Sequence, residues 1–529
     1  MNAKFVFTIL IFLLLTQVGR AQNDPRDLLG SAFRASRRDA LRQNMPPKSC
    51  AVFFSGGFQK QTEGAVEPRP FYPDPNFLYF TGLRIPDAVL VVFQSPMTLA
   101  EGNVSTLLFL PDQKDDILRA MGEDWQGKFG LAGEGLAIRP AAQWRRFCIE
   151  VLTADEMQSI YSFPYTSSDY RKRGELSYTD LGSIFYTQLA PGFPFDPSAQ
   201  YFYREIIRSD SAALKVLSQR VTAYLNYFPD VRRDPILEAF SRAVAPGDLS
   251  RIQAQIKSIK IDLIGLVEKV VQMRLIKSRE EQALLEKASR IATEAADFAA
   301  NGKPARRLEQ QLQAAAEYAV RYKGGTLPLS VRVAGGANTA APYYNRNSDS
   351  IPAKGLVVLD IAPNWGGYMG RITRTLPAQG RFEGKDAELY SALRGVHMVA
   401  LSACKPGNRP SSLLTEAQAD FDDALKRLDI APAGNKGIVR VFDISPIGLD
   451  LNEFAAPAQL QPGMAFCVET AIYVQTDAAI KADWRNKGVV LRDVVLITET
   501  GAKVLTSGFT TDPGGIEALL NRSGKQPLD

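Results

Sequence analysis

The chain has 529 residues, 45% of them apolar, with 62 basic and 57 acidic residues and a formal net charge of +5. That length allows two or three domains with sizeable cores, and the mixed charges carry no nucleic-acid or polybasic signature. The chain holds only 1 histidine, His397, which removes most histidine-based chemistry.

At the N-terminus Lys4 precedes an apolar run from Phe5 to Leu15, and Gly19-Arg20-Ala21 supplies small residues around a cleavage point. Residues 1–21 read as a secretory signal peptide. A run of about eleven residues is short of the roughly twenty that a spanning helix needs, so no stable membrane span is expected. The mature protein is expected to be exported, to the periplasm or beyond the cell. Cys50, Cys148, Cys404 and Cys467 are widely separated and lack metal-type spacing. They read as buried free thiols, although an oxidising compartment leaves one or two disulfides open.

Residues 22–207 form the first expected domain. Short β-rich runs alternate with turn signals from Ala51 to about Gly135, and Ala88–Phe93 and Ser105–Leu110 have the pattern of buried strands in a compact α/β domain. Residues 208–270 become helical, broken by Pro229, Pro235 and Pro246, and read as an inter-domain region. The second domain, 271–529, opens where Ser278 and Glu281 have capping-box spacing ahead of a helix whose apolar face is Leu284, Leu285, Ala288, Ile291, Ala292 and Ala295. Strand-like runs at Leu356–Leu359 and Met464–Val468 then alternate with helices, giving an α+β or α/β domain. His397 falls on a predicted helix, remote from any polar constellation, and is read as structural.

Two stretches of the first domain, Phe71-Tyr72-Pro73-Asp74-Pro75-Asn76-Phe77-Leu78-Tyr79-Phe80-Thr81-Gly82 and Glu123-Asp124-Trp125-Gln126-Gly127, resemble the N-terminal domain of aminopeptidase P. In the second, Leu359-Asp360, Gly367-Tyr368, Ile372-Thr373-Arg374-Thr375, Gln461-Pro462-Gly463-Met464 and Gly488-Val489 are similar to the creatinase/aminopeptidase "pita-bread" domain. The resemblance covers nearly the whole mature chain, with residues 155–265 longer and more divergent than usual. It implies an α/β N-terminal domain followed by an α+β pita-bread domain. It also implies an aminopeptidase that removes a residue preceding proline, using two divalent ions, usually manganese, held by aspartate, histidine and glutamate side chains.

The residues at the matching positions depart from that ligand set. Asp360 and Glu469 match an aspartate and a glutamate, but Arg371, Ser445 and Arg492 stand where an aspartate, a histidine and a glutamate are expected. Guanidinium groups stay protonated and repel a divalent cation, so no metal is expected to bind. The positions of two non-ligand histidines are held by Tyr343 and Asn452, and asparagine cannot act as an acid or base near neutral pH.

Electrostatically, Arg371 and Arg492 could balance Asp360 and Glu469, because buried carboxylates without partners are costly. The expected protein is a pseudoenzyme or binding protein without a cofactor, its cleft taking a peptide or protein ligand at Arg371, Arg492 and Tyr343. An equally open reading has the arginines pair with the carboxylates and bind nothing. The alternative is an active manganese-dependent Xaa-Pro aminopeptidase with an altered ligand set, for which Asp443 is the best substitute and Asp493 a worse one. Metal-free hydrolysis of the creatinase type lacks its cleft histidine, and Ser445 has no evident general base. No nucleic-acid partner is expected, and the resemblance leaves a homodimer open.

Overall fold

The computed structural model describes residues 29–56, 73–111, 125–163, 181–189, 197–227, 234–430, 436–453, 457–478 and 480–522. The signal-peptide segment, Phe71-Tyr72, Glu123-Asp124 and Pro229 lie outside these residues. The chain divides into two compact units, the first reaching Val270 and the second starting at Val271.

The first unit is built on a mixed six-stranded sheet in the order β4-β3-β2-β1-β5-β6, with β1 Ser49–Phe54, β2 Val89–Leu99, β3 Gly102–Leu110, β4 Leu136–Pro140, β5 Ser159–Ser162 and β6 Ile261–Asp262. Central β1 is buried at every position and is apolar throughout after Ser49, as a strand covered on both faces must be. β2 is buried from Val89 to Phe93 and only partly buried or exposed beyond, where it leaves the core. Val52, Val91, Phe109, Trp144, Phe147 and Phe185 share one apolar cluster. The helix Pro75–Thr81 follows from Asp74, whose carboxylate accepts from the Asn76 and Phe77 amides at 2.8 and 3.1 Å, and it ends on Gly82 at φ 73°.

Helices Pro197–Arg208, Leu214–Tyr227, Pro235–Ser241 and Pro246–Lys257 enclose a core of their own, with Tyr203, Ile206, Val221, Ile236, Phe240 and Ile252 among its members. The helical segment therefore begins before residue 208 and belongs to the first compact unit. Pro235 and Pro246 do not merely break helices but start them, since a first-turn residue needs no amide hydrogen.

In the second unit the helix Arg279–Ala299 begins at the Ser278–Glu281 capping box. Leu284, Leu285, Ala288, Ile291, Ala292 and Ala295 are all buried along it. The helix Glu309–Tyr322 follows. The sheet runs in the order β12-β13-β14-β11-β8-β7, with β15 also paired to β14. Its strands are β7 Arg332–Gly335, β8 Leu356–Ile361, β11 Ile372–Pro377, β12 Ile438–Pro446, β13 Ala465–Val474, β14 Lys487–Thr498 and β15 Gly501–Val504, while β9 Asn364–Trp365 and β10 Tyr368–Met369 form a separate hairpin. Every pairing in this sheet is antiparallel. The helix Gly384–Ala403 carries His397. Cys50, Cys148, Cys404 and Cys467 are free and buried.

Candidate functional site

Strand register creates the candidate site. Asp443 on β12 faces Glu469 on β13, Glu469 faces Arg492 on β14, Arg492 faces Thr373 on β11, Thr373 faces Asp360 on β8, and Asp360 faces Arg332 on β7. Opposed residues project to the same side, so six strands present one polar row. Two residues along, Val441, Ala471, Val490, Val358 and Ala334 make a largely apolar row beside it, in which the Thr375 hydroxyl is taken up by the Val490 backbone. The charges lie on the polar row, where Asp443 and Glu469 adjoin, and Asp360 is flanked by Arg332 directly and by Arg492 across Thr373.

The ion pairs close tightly. Arg371 grips Asp360 with both ends of its fork, Nε to Oδ1 at 3.3 Å and Nη2 to Oδ2 at 3.0 Å. Arg492 donates to Asp360 Oδ2 at 2.7 Å through Nη1 and lies 2.5 Å from Glu469 Oε1 through Nη2. Thr373 donates its hydroxyl to Asp360 at 2.8 Å and lies 3.2 Å from Arg492 Nη1. Burial pushes the Asp360 carboxyl up, but Arg371 and Arg492 outweigh it and hold the group well below the usual carboxylate range. Burial acts downward on Arg371 and Arg492, but the acidic groups around them, Asp360 foremost with Glu469, leave both raised above the ordinary guanidinium value. Cys467, two residues from Glu469, is pushed up to about 12 by burial, against the weaker pull of the two arginines.

These donors do not fit a dinuclear metal centre. Asp360 and Glu469 already accept guanidinium N–H groups, Arg371 and Arg492 offer no lone pair, and Ser445 donates its hydroxyl to Asp443. Among the described residues no three His, Cys, Asp or Glu side chains are placed to hold a metal ion. The chemistry left to the row is that of a neutralised, hydrogen-bonded charge array.

Asp360, Arg371, Ser445, Glu469 and Arg492 thus come together on one face, whereas Tyr343 and Asn452 lie on loops, with their side chains exposed. Tyr343 is 93% exposed, so it is not packed against the arginines with which a ligand site was expected. Its loop is tethered on both sides, by Arg332 Nη1 donating to the Pro342 carbonyl at 2.7 Å and by the Tyr344 hydroxyl donating to buried Glu309. Gly488 lets the preceding turn lie against β14, because a Cβ there would meet the Thr339 carbonyl oxygen at 1.9 Å. Asn452 is exposed, on a loop held by Glu453, which accepts from Lys277 Nζ at 2.7 Å and Arg274 Nη2 at 2.9 Å.

Asp493 lies on the other face of β14, as alternation requires. There it accepts from Arg374 Nη2 at 2.7 Å and Thr506 Oγ1 at 2.5 Å, and sits 2.9 Å from His397 Nε2. Thr470 Oγ1 lies 2.7 Å from His397 Nδ1. The expectation that His397 is remote from polar groups is therefore wrong. Its helical neighbours gave no sign of this, since every partner comes from a distant strand or loop. Arg332 and Thr373 also escaped the sequence reading as site members, because only pairing register reveals them.

Residues 34–128 match the aminopeptidase P N-terminal domain family, and residues 283–499 match metallopeptidase family M24. The chain is an aminopeptidase P-like member of family M24. It is 24% identical over 505 residues to the Xaa-Pro aminopeptidase of Escherichia coli (strain K12), covering 93% of this chain and 98% of that one. It is also 24% identical over 498 residues to the mitochondrial intermediate cleaving peptidase 55 of Arabidopsis thaliana, covering 92% and 82%. In fold it matches the structure of aminopeptidase P from E. coli with the inhibitor Pro-Leu, with a TM-score of 0.66, 23% identity and coverage of 92% and 97%. Among the described residues no helix is long and apolar enough to cross a membrane.

Proposed function

We propose that this protein uses an aminopeptidase P scaffold without dinuclear-metal peptidase chemistry, as an exported pseudoenzyme or binding protein whose cleft takes a peptide or protein ligand. The observation that carries the reading is Arg492 bridging Asp360 and Glu469 while Arg371 forks onto Asp360. Two positively charged side chains stand at positions where the resemblance implies acidic metal ligands. The partly exposed side of Arg371 is the natural contact for a ligand carboxylate.

The contrary reading is an active manganese-dependent Xaa-Pro aminopeptidase, the activity after which its E. coli relative is named. One observation favours it: Asp443 lies directly across from Glu469, so two carboxylates adjoin. Metal analysis of the purified mature protein, with Xaa-Pro peptide hydrolysis measured with and without manganese, separates the two. Metal-free, inactive protein is expected, whereas stoichiometric metal with manganese-dependent turnover overturns the proposal.

A further inference from the structure

Away from the ion-paired row, the outer faces of the helices Arg279–Ala299 and Glu309–Tyr322 border two cavities that share Arg290, Thr293 and Gly508. One has a volume of about 1260 Å³ and the other about 730 Å³. Trp365 lies at one end, and Phe298, Tyr318 and Tyr322 line the other. The aromatic end is a ready-made shelf: Phe298 and Tyr318 lie 5.6 Å apart, and Tyr318 and Tyr322 stack at 5.8 Å. Tyr322 is 75% exposed and Tyr318 46%, although both are large apolar-bodied side chains.

The charges of this groove do not cancel. Each of its three acids already has a basic partner: Glu286 with Lys503 at 2.7 Å, Glu294 with Lys323 at 3.1 Å, and Asp297 with Arg522. Lys287 sits over the Trp365 ring at 5.7 Å. Exposed Arg290, where the two cavities meet, has no carboxylate partner among the described residues. Lys287 and Arg290 are the surplus cations, one turn apart on the helix.

We infer that this groove is a docking site for an extended acidic peptide segment of a partner protein. Carboxylates of the segment meet Arg290 and Lys287, and an apolar or aromatic side chain rests on Tyr318 and Tyr322. The spacing suits that occupant, since Lys287 to Phe298 spans about 16 Å of helix, which an extended chain covers in about five residues. A nucleic acid suits it poorly, because two surplus cations are too few to neutralise the row of phosphates that would lie along the groove. The site is separate from the ion-paired row, so it stands or falls independently of the function proposed above.

The test uses the full chain and a short fluorescein-labelled peptide carrying consecutive glutamates followed, about four positions on, by tryptophan, read by fluorescence anisotropy. Saturable binding is expected, weakened at least tenfold by Arg290→Glu, by Tyr318→Ala with Tyr322→Ala, and by replacing the peptide's glutamates with glutamine. All three positions are exposed, so unchanged circular dichroism and Tm should accompany the loss. Failure of the wild-type chain to bind the acidic peptide, or equal binding by Arg290→Glu, overturns the inference. Sedimentation showing a dimer that Arg290→Glu dissolves also overturns it, by assigning the groove to a second copy.

Discussion

Arg492→Ala is the sharpest test of the ion-paired row. The guanidinium touches Asp360 at 2.7 Å, Thr373 at 3.2 Å and Glu469 at 2.5 Å, and all are lost together. Asp360 keeps Arg371 and Thr373, but Glu469 loses its ion pair at 13% side-chain exposure. Stranding a buried carboxylate costs about 3–5 kcal/mol, and the residual solvent contact places the expected loss near 3 kcal/mol. For a unit of this size that corresponds to a fall in Tm of about 6–12 °C, readable by calorimetry at pH 7. Removing both partners with Arg492→Leu and Glu469→Leu should recover most of the loss, since the desolvated charges leave together.

The pH dependence gives the sign. Asp360 is depressed in the folded state, so its contribution is present above the ordinary carboxylate range and is lost as pH falls toward its folded value. Without Arg492 that depression is smaller, and the gap between wild type and variant should narrow on acidification. A loss under about 1 kcal/mol at pH 7, the value of an exposed surface pair, would falsify the argument that the arginines neutralise buried charge.

Combining Arg371→Asp, Ser445→His and Arg492→Glu should create manganese binding detectable by calorimetry; equal binding by the unmodified chain defeats the claim that the arginines exclude metal. His397→Ala should destabilise by about 2–4 kcal/mol in urea unfolding, because it leaves Asp493 and Thr470 short of a partner and opens a cavity; a change near zero contradicts the buried network. Gly488→Ala should lower Tm and loosen the Tyr343 loop, seen as faster amide exchange over 336–344, since its Cβ would meet a backbone carbonyl. Cys467, pushed up to about 12 by burial, should resist iodoacetamide at pH 8 until the chain unfolds, and alkylation of native protein would refute that placement.

Much of the architecture follows from local sequence. Continuous apolar runs at Ala88–Phe93 and Leu356–Leu359 make buried strands, and Ser278 with Glu281 starts the helix Arg279–Ala299, because patterning and capping act over a few residues. Arg371, Ser445 and Arg492 are read straight from the sequence, and the expectation that guanidinium and hydroxyl groups make a poor metal-ligand set belongs to the function proposed above.

What the sequence could not determine is who faces whom. Arg332 and Thr373 join the site, and His397 meets Asp493, only because strands and a helix far apart in the chain are brought into register. Local periodicity carries no information about that register. The surplus charge at Arg290 is likewise a tertiary property: in sequence it sits among acids, and only packing pairs Glu286, Glu294 and Asp297 with Lys503, Lys323 and Arg522 and leaves Arg290 without a carboxylate partner among the described residues. Sequence determined which charges this protein carries, and the fold decided which of them cancel.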